Sequence, residues 1–218
     1  GANRVVIAIK ARDGDIFTPR FFDVLERITD EVFFIPGVDR TRVMSLFAPN
    51  VRFTEVVEDG ISGGNVIPDD FEPTPEGLAV VRENILKSNY MGRLVANDFS
   101  ATIVSAELLE INPNTGERLD YIDVAAQLEA IRTKYANHDV GIDFNYHIIG
   151  FAKVIGDIAS GAARVVLFFL IAFLITAIFV YSYSQSFKLT ATIVGCALMA
   201  VVWQLGLLTL FGFGIDPM

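Results

Sequence analysis

The sequence predicts an α+β membrane protein: a two-layer α/β domain over residues 1–150, followed by two antiparallel transmembrane helices. Three observations carry this. Residues 165–187 are a run of twenty-three positions without a charge, and after Lys188 a second uncharged run covers 189–215. A helix needs about 20 apolar residues to cross a hydrocarbon core of ~30 Å. Inside lipid its amides must pair within the segment, so both runs are expected to be helical. The third observation is a strand–helix–strand pattern that occurs twice before residue 150. A buried helical hairpin in a soluble domain is the competing account of the two runs, and their length disfavours it.

Charge divides the chain in the same place. Residues 1–160 hold 15 Lys and Arg against 25 Asp and Glu, a net of −10 within a total of −9. An acidic segment of that size can bury a core of its own. It lacks the Lys/Arg clusters that nucleic acids or anionic headgroups require, which argues against both as partners. Cys196 is the only cysteine and falls in the second apolar run, so no disulfide within the chain and no Cys-based metal site are expected. The chain starts at Gly1 and stops at Met218 just past an apolar run; both ends read as cuts, and a longer polypeptide is expected.

Taken in order, residues 4–9 (RVVIAI) are a β-branched run expected to be a strand buried on both faces. Asp13-Gly14-Asp15 reads as a solvated turn, since a calcium loop would need further oxygen ligands at regular spacing. Thr18-Pro19 opens a helix, with Thr as N-cap and Pro in the first turn. Phe21, Leu25, Ile28, Val32 and Ile35 recur at helical spacing along one face, and Pro36-Gly37 ends it. Residues 40–47 (RTRVMSLF) read as the second strand.

The second unit repeats the plan. A strand through residues 101–111 is followed by a turn at 112–116, then a helix with Tyr121, Val124, Leu128, Ile131 and Tyr135 on one face, and a strand near 142–149. Two such units stacked in two layers suggest the ferredoxin-like arrangement. Between them an insertion at about 48–99 holds a hairpin (51–57 and 61–67) turning at Asp59-Gly60, a polar loop at 68–75 and a helix over 75–87. The glycines at 60–64 lack the Lys-Ser/Thr and the following helix of a phosphate loop, so they read as a turn.

Residues 151–164 lead without a proline into the first span and are expected to form a helix entering the membrane. The spans are placed at 165–187 and 188–215, with Ser184–Lys188 as a very short connection. Ala191, Gly195, Ala197 and Ala200 suit close helix contact along the second span. Lys188, Arg164 and Lys153 flank the spans too evenly for the positive-inside rule to orient them.

No catalytic, cofactor or metal constellation is found. His138 and His147 have no partners at metal or triad spacing, so each reads as an ordinary histidine. Asp69-Asp70-Phe71-Glu72 reads as a solvated loop. The spans carry no acid or base in their interiors apart from Cys196 and tyrosines near one end, and intramembrane charges are the usual mark of ion paths. The eighteen phenylalanines could line a hydrophobic route, Phe17, Phe21, Phe22, Phe33 and Phe34 clustering around one helix, but core filling is the plainer account.

Three strings carry a resemblance: Pro36-Gly37-Val38 leading to Val43-Met44-Ser45-Leu46, residues 83–108 (ENILKSNYMGRLVANDFSATIVSAEL), and Gly212-Phe213-Gly214-Ile215-Asp216-Pro217-Met218. Their order resembles the RND superfamily in its MMPL-like "predicted exporter" branch. The resemblance implies that residues 1–150 are the first extracytoplasmic porter domain and that the spans are the second and third transmembrane helices. Ser184–Lys188 would then face the cytoplasm. It implies a proton-driven exporter of lipids or other hydrophobic or amphiphilic molecules, multi-pass in the bacterial inner membrane. Its partners would be the rest of its own polypeptide, with further helices and a second porter domain, its cargo, and periplasmic proteins. Gly212, Gly214, Asp216 and Pro217 would form the family turn after the second span, with the coupling acids beyond Met218. The alternative is a non-transporting membrane sensor or accessory protein with an extracytoplasmic ligand-binding domain.

Overall fold

The structure is a computed structural model and describes residues 3–58, 60–137 and 143–211. The chain divides into two units, Gly1–Gly156 and Asp157–Met218. The first is built from β1 (Arg4–Ala11), α1 (Pro19–Phe34), β2 (Val38–Met44), β3 (Arg52–Val57), β4 (Gly60–Asn65), α2 (Pro75–Lys87), β5 (Ala101–Leu108), α3 (Tyr121–Ala136) and β6 (Phe144–Gly150). Four strands form one sheet in the order β2-β5-β1-β6, every neighbour antiparallel, while β3 and β4 form a separate ribbon. The fold is α+β.

Local chemistry explains where the helices start. Thr18 and Thr74 are extended N-caps whose Oγ1 atoms accept from the amides of Phe21 and Gly77, each with a proline in the first turn. Asp120 caps α3 by accepting from the amides of Ile122 and Asp123. The expected apolar faces are the buried ones: Phe21, Leu25, Ile28, Val32 and Ile35 around α1, and Val124, Leu128, Ile131 and Tyr135 on α3, with Tyr121 half-buried. Both faces bury apolar area against one side of the sheet, at roughly 25 cal/mol per Å² removed from water.

Strand β1 departs from expectation. Val5, Ile7, Ile9 and Ala11 are buried, but Arg4 and Lys10 on the opposite side are exposed, with Val6 and Ala8 between them half-buried. The second face has no covering layer in this unit. It presents His147 and Ile149 from β6 and an ion-pair cluster in which Glu107 meets Arg4 and Arg42. Those guanidiniums, Arg42 first, hold the Glu107 carboxyl below its usual value. Strand β2 spans 38–44 rather than 40–47, because Ser45 turns inward at the end of the strand: its Oγ lies 2.7 Å from Thr29 Oγ1 on α1. Strand β5 ends at Leu108, three residues short of the expected Ile111.

After Gly150 a single helix, α4, runs Phe151–Ser184, and α5 follows over Phe187–Leu210. The first six residues of α4 belong to the first unit. There Phe151 stacks edge-on against Tyr121 at 5.8 Å, Ala152 is buried, and a Cβ on Gly156 would come within 2.5 Å of the Ala125 methyl. Glu129 on α3 accepts from Arg132 and faces the Lys153 ammonium of α4 at 3.3 Å. Its carboxyl is held below the ordinary range, by the Arg132 hydrogen bond first and also by Lys153. A depressed carboxylate stabilises the fold above its unfolded value of about 4.3, and the contribution is lost as pH falls through the folded value. Acidification below about pH 4 should therefore loosen this junction. In Glu129→Gln that part of the pH dependence should vanish, read by hydrogen exchange of the 151–156 amides; an unchanged profile would refute it.

In the second unit α4 and α5 are helices long and apolar enough to cross a membrane. They form a hairpin whose break falls at Gln185-Ser186, inside the expected Ser184–Lys188 connection. Gln185 takes a positive φ of 49°, its Nε2 donates to Ser182 O, and Ser184 Oγ lies 2.9 Å from Thr190 Oγ1. Phe187, assigned by charge to the first span, therefore opens the second helix. Along α5, Ala197 lines the cavity facing α4, while Ala191, Gly195 and Ala200 are exposed and a Cβ on Gly195 would meet open space.

Candidate functional site

Most described side chains that sequence reading singled out disperse. Asp15 accepts from the Phe17 amide and lies 3.9 Å from Arg82, so that loop is a turn tied to α2. His147 lies exposed on the uncovered sheet face, paired across to Ala8. Cys196 is exposed on α5. His138 and the turn residues Gly212, Gly214, Asp216 and Pro217 lie outside the described residues. Among the described residues no group of three His, Cys, Asp or Glu side chains has metal-binding geometry.

What the fold does assemble is a cleft of about 340 Å³ between α1 and the segment from Leu46 to Pro73. Three parts of the chain build it. Helix α1 contributes Phe22, Asp23 and Glu26, from positions that face the insertion once Phe21 and Leu25 turn into the core. The tight turn 45–51 brings Phe47 and Pro49, closed by hydrogen bonds from Ala48 N to Ser45 O and from Val51 N to Ala48 O. Ser45 is buried against Thr29, which itself donates to Leu25 O, so this turn is pinned to α1. The loop after β4 contributes Ile67, Asp69 and Phe71. Asn84 of α2 holds that loop by donating to Val66 O, and Phe71 N bonds Pro68 O.

The floor is aromatic. Phe22 and Phe71 have ring centroids 5.5 Å apart, Phe22 and Phe47 6.2 Å, and Phe47 and Phe71 6.3 Å, so the three rings form a closed triangle. Phe22 is fully buried, while the other two are half-buried and turn part of their surface to the opening. Such T-shaped and tilted pairs add about 0.5–1.5 kcal/mol each beyond area burial. The walls carry the carboxylates of Asp23, Glu26 and Asp69, and no Lys or Arg is among the lining residues. Asp23 is engaged by Arg27 one turn on, at 2.9 Å. Asp69 accepts from the neutral amide of Asn65 at 3.0 Å. The lining thus combines apolar faces with uncompensated negative charge.

The sequence singled out Phe22 and read residues 69–72 as a solvated loop. The acids there are indeed exposed, but Phe71 is not part of that description. Nothing flagged Phe47. The signal at Phe71 was an aromatic between two prolines in an otherwise acidic loop, where a solvated loop has no use for a large apolar ring.

A cavity of about 230 Å³ lies between α4 and α5, lined by Phe169, Phe173, Val180, Ile193 and Val194 among others. Its one polar group, the Thr176 hydroxyl, is satisfied by Ala172 O. No family model matches this chain, and no curated protein matches it.

Proposed function

We propose that this chain is part of a proton-driven exporter of the RND type, in the MMPL-like branch, moving lipids or other hydrophobic or amphiphilic molecules out of the bacterial inner membrane. One observation carries the reading. A β-α-β-β-α-β domain, whose sheet runs fourth-first-third-second among its main strands, leads directly into two helices of membrane-spanning length. That strand order is the one a ferredoxin-like porter domain requires. The uncovered face of the sheet agrees with it, since it offers a surface to a second domain of the same kind. On this reading α4 and α5 are the second and third transmembrane helices and the domain is extracytoplasmic. Neither helix carries an acidic side chain in its apolar stretch, so proton coupling belongs to further helices of the polypeptide.

The competing reading, a membrane sensor or accessory protein with a ligand-binding domain, draws on the cleft between α1 and the insertion. Both readings place the domain outside and the α4–α5 turn inside. Topology is tested by single cysteines in a Cys196→Ala background, labelled with a membrane-impermeant maleimide in spheroplasts. Asn114→Cys should react in intact spheroplasts and Ser184→Cys only after permeabilisation. Reaction of both from one side would overturn the placement. Between the two readings, the exporter requires export activity from the chain within its full polypeptide, abolished by collapsing the proton gradient.

A further inference from the structure

We propose that the cleft between α1 and the 46–73 segment binds an organic cation: a protonated amine or quaternary ammonium on an aromatic or short alkyl body. The domain itself shows how it treats exposed aromatic faces. Arg40 lies over Phe33 and Phe34 at 5.4 and 5.5 Å, Arg82 over Phe17 and Phe99 at 5.2 and 4.9 Å, and Lys87 over Phe53 at 5.9 Å. Among the described residues no Lys or Arg lies over Phe22, Phe47 or Phe71. Within the α/β domain this triangle lines a cavity and, among the described residues, has no cation of the chain's own over it.

The cavity's charge points the same way. Its walls bear three carboxylates and no basic residue, and Asp23 alone is ion-paired, leaving Glu26 and Asp69 to act on whatever enters. A carboxylate ligand would meet like charge on both walls. A compact metal ion is a poor fit, because the acids do not converge at ligation geometry. A soft, weakly hydrated cation loses little on leaving water, gains from the ring faces, and is attracted by the walls. The volume of about 340 Å³ sits at the lower end of small-molecule sites, which run from about 300 to 1,000 Å³. An ammonium head with one ring or a short chain fills it.

This inference stands apart from the exporter reading: it concerns binding, needs no gradient, and survives or fails whichever way the topology labelling falls. The probe is benzyltrimethylammonium, titrated against the full chain in uncharged detergent and followed by saturation-transfer NMR. Benzyl alcohol and benzenesulfonate serve as neutral and anionic counterparts. The ammonium should bind at least ~10-fold more tightly than either, the ring-face and wall-charge contributions combining. Glu26→Gln and Asp69→Asn should each weaken it ~3- to 10-fold and Asp23→Asn less, since that charge is already shared with Arg27. Phe71→Leu keeps the apolar bulk and removes a ring face, so it should lower ammonium affinity ~3- to 10-fold while leaving benzyl alcohol unchanged. Glu26 is exposed, so its amide variant should fold normally, checked by an unchanged melting curve. Equal affinity for the three probes, or ammonium binding indifferent to both Glu26→Gln and Asp69→Asn, would overturn the proposal.

Discussion

Phe21→Ala should lower the unfolding free energy of the α/β domain by about 3–5 kcal/mol, the range for emptying a phenylalanine site in a packed core. Phe21 is fully buried between α1 and the sheet. Its ring stands edge-on to Phe144 at a centroid distance of 5.1 Å and to Phe22 at 6.3 Å. It therefore ties the first turn of α1 to the edge strand β6 and, through Phe22, to the floor of the cleft. Both ring neighbours, Phe144 and Phe22, are themselves buried in the same core, so the site has little room to collapse after truncation. Phe34, more than three turns further along the same phenylalanine-rich helix, is the contrast: it is 66% exposed, with its ring beside Phe33 and the Arg40 guanidinium. Phe34→Ala should cost less than about 1 kcal/mol. Hydrogen exchange of the β1 and β5 amides in the full chain reads both. Equal protection factors for the two variants would remove Phe21 from the centre of the core.

Gly150→Ala should cost about 2–4 kcal/mol, from a backbone conformation that non-glycine residues avoid plus a contact that cannot relax. Gly150 has a φ of +148°, and a Cβ there would come within 2.6 Å of Arg4 O and 3.0 Å of Val5 Cα. Both of those atoms are backbone of β1, which is held on its other side by β5 through residues 101–107. The strand cannot step aside. Gly116 makes the comparison clean: its φ is +74°, but nothing lies within 4 Å of an added Cβ. Gly116→Ala should therefore show only the left-handed strain of about 1–2 kcal/mol. In Gly150→Ala the loss should centre on the Val5–Gly150 pairing and the α4 residues just after it, again read by amide exchange. Protection lost uniformly over the domain, or not at all, would contradict this account.

How much of this was legible in the sequence depends on the range over which each signal acts. Helix limits were written locally: the Thr-Pro pairs at 18–19 and 74–75 fix two starts, and the apolar spacing of α1 fixes its buried face. The burial of β1 was not, because Val5, Val6 and Ile7 look alike whether or not a second layer exists above them. Only the flanking Arg4 and Lys10 hinted that one face is open. The break between the apolar helices falls inside the expected connection, but the positive φ of Gln185 and the Ser184–Thr190 hydrogen bond that put Phe187 on the second helix leave no mark in the charge pattern. The cleft was invisible for a different reason. Phe22, Phe47 and Phe71 belong to a helix and two turns, share no period, and meet only because Ser45 and Asn84 anchor those turns.

The strand order has a consequence for synthesis. β1 is made first yet lies in the middle of the sheet. Its flanking contacts reach across 103 residues in the Arg4–Glu107 pair and 133 in the Arg12–Asn145 bond. Loops that long close slowly, and a central strand left unpaired is a template for wrong partners. The second flank, β6, is the last piece before the apolar helix α4. As the chain leaves the ribosome, the sheet cannot close until that oily segment is next in line. The nascent domain must therefore be kept from mispairing for the whole time its two partners are being translated.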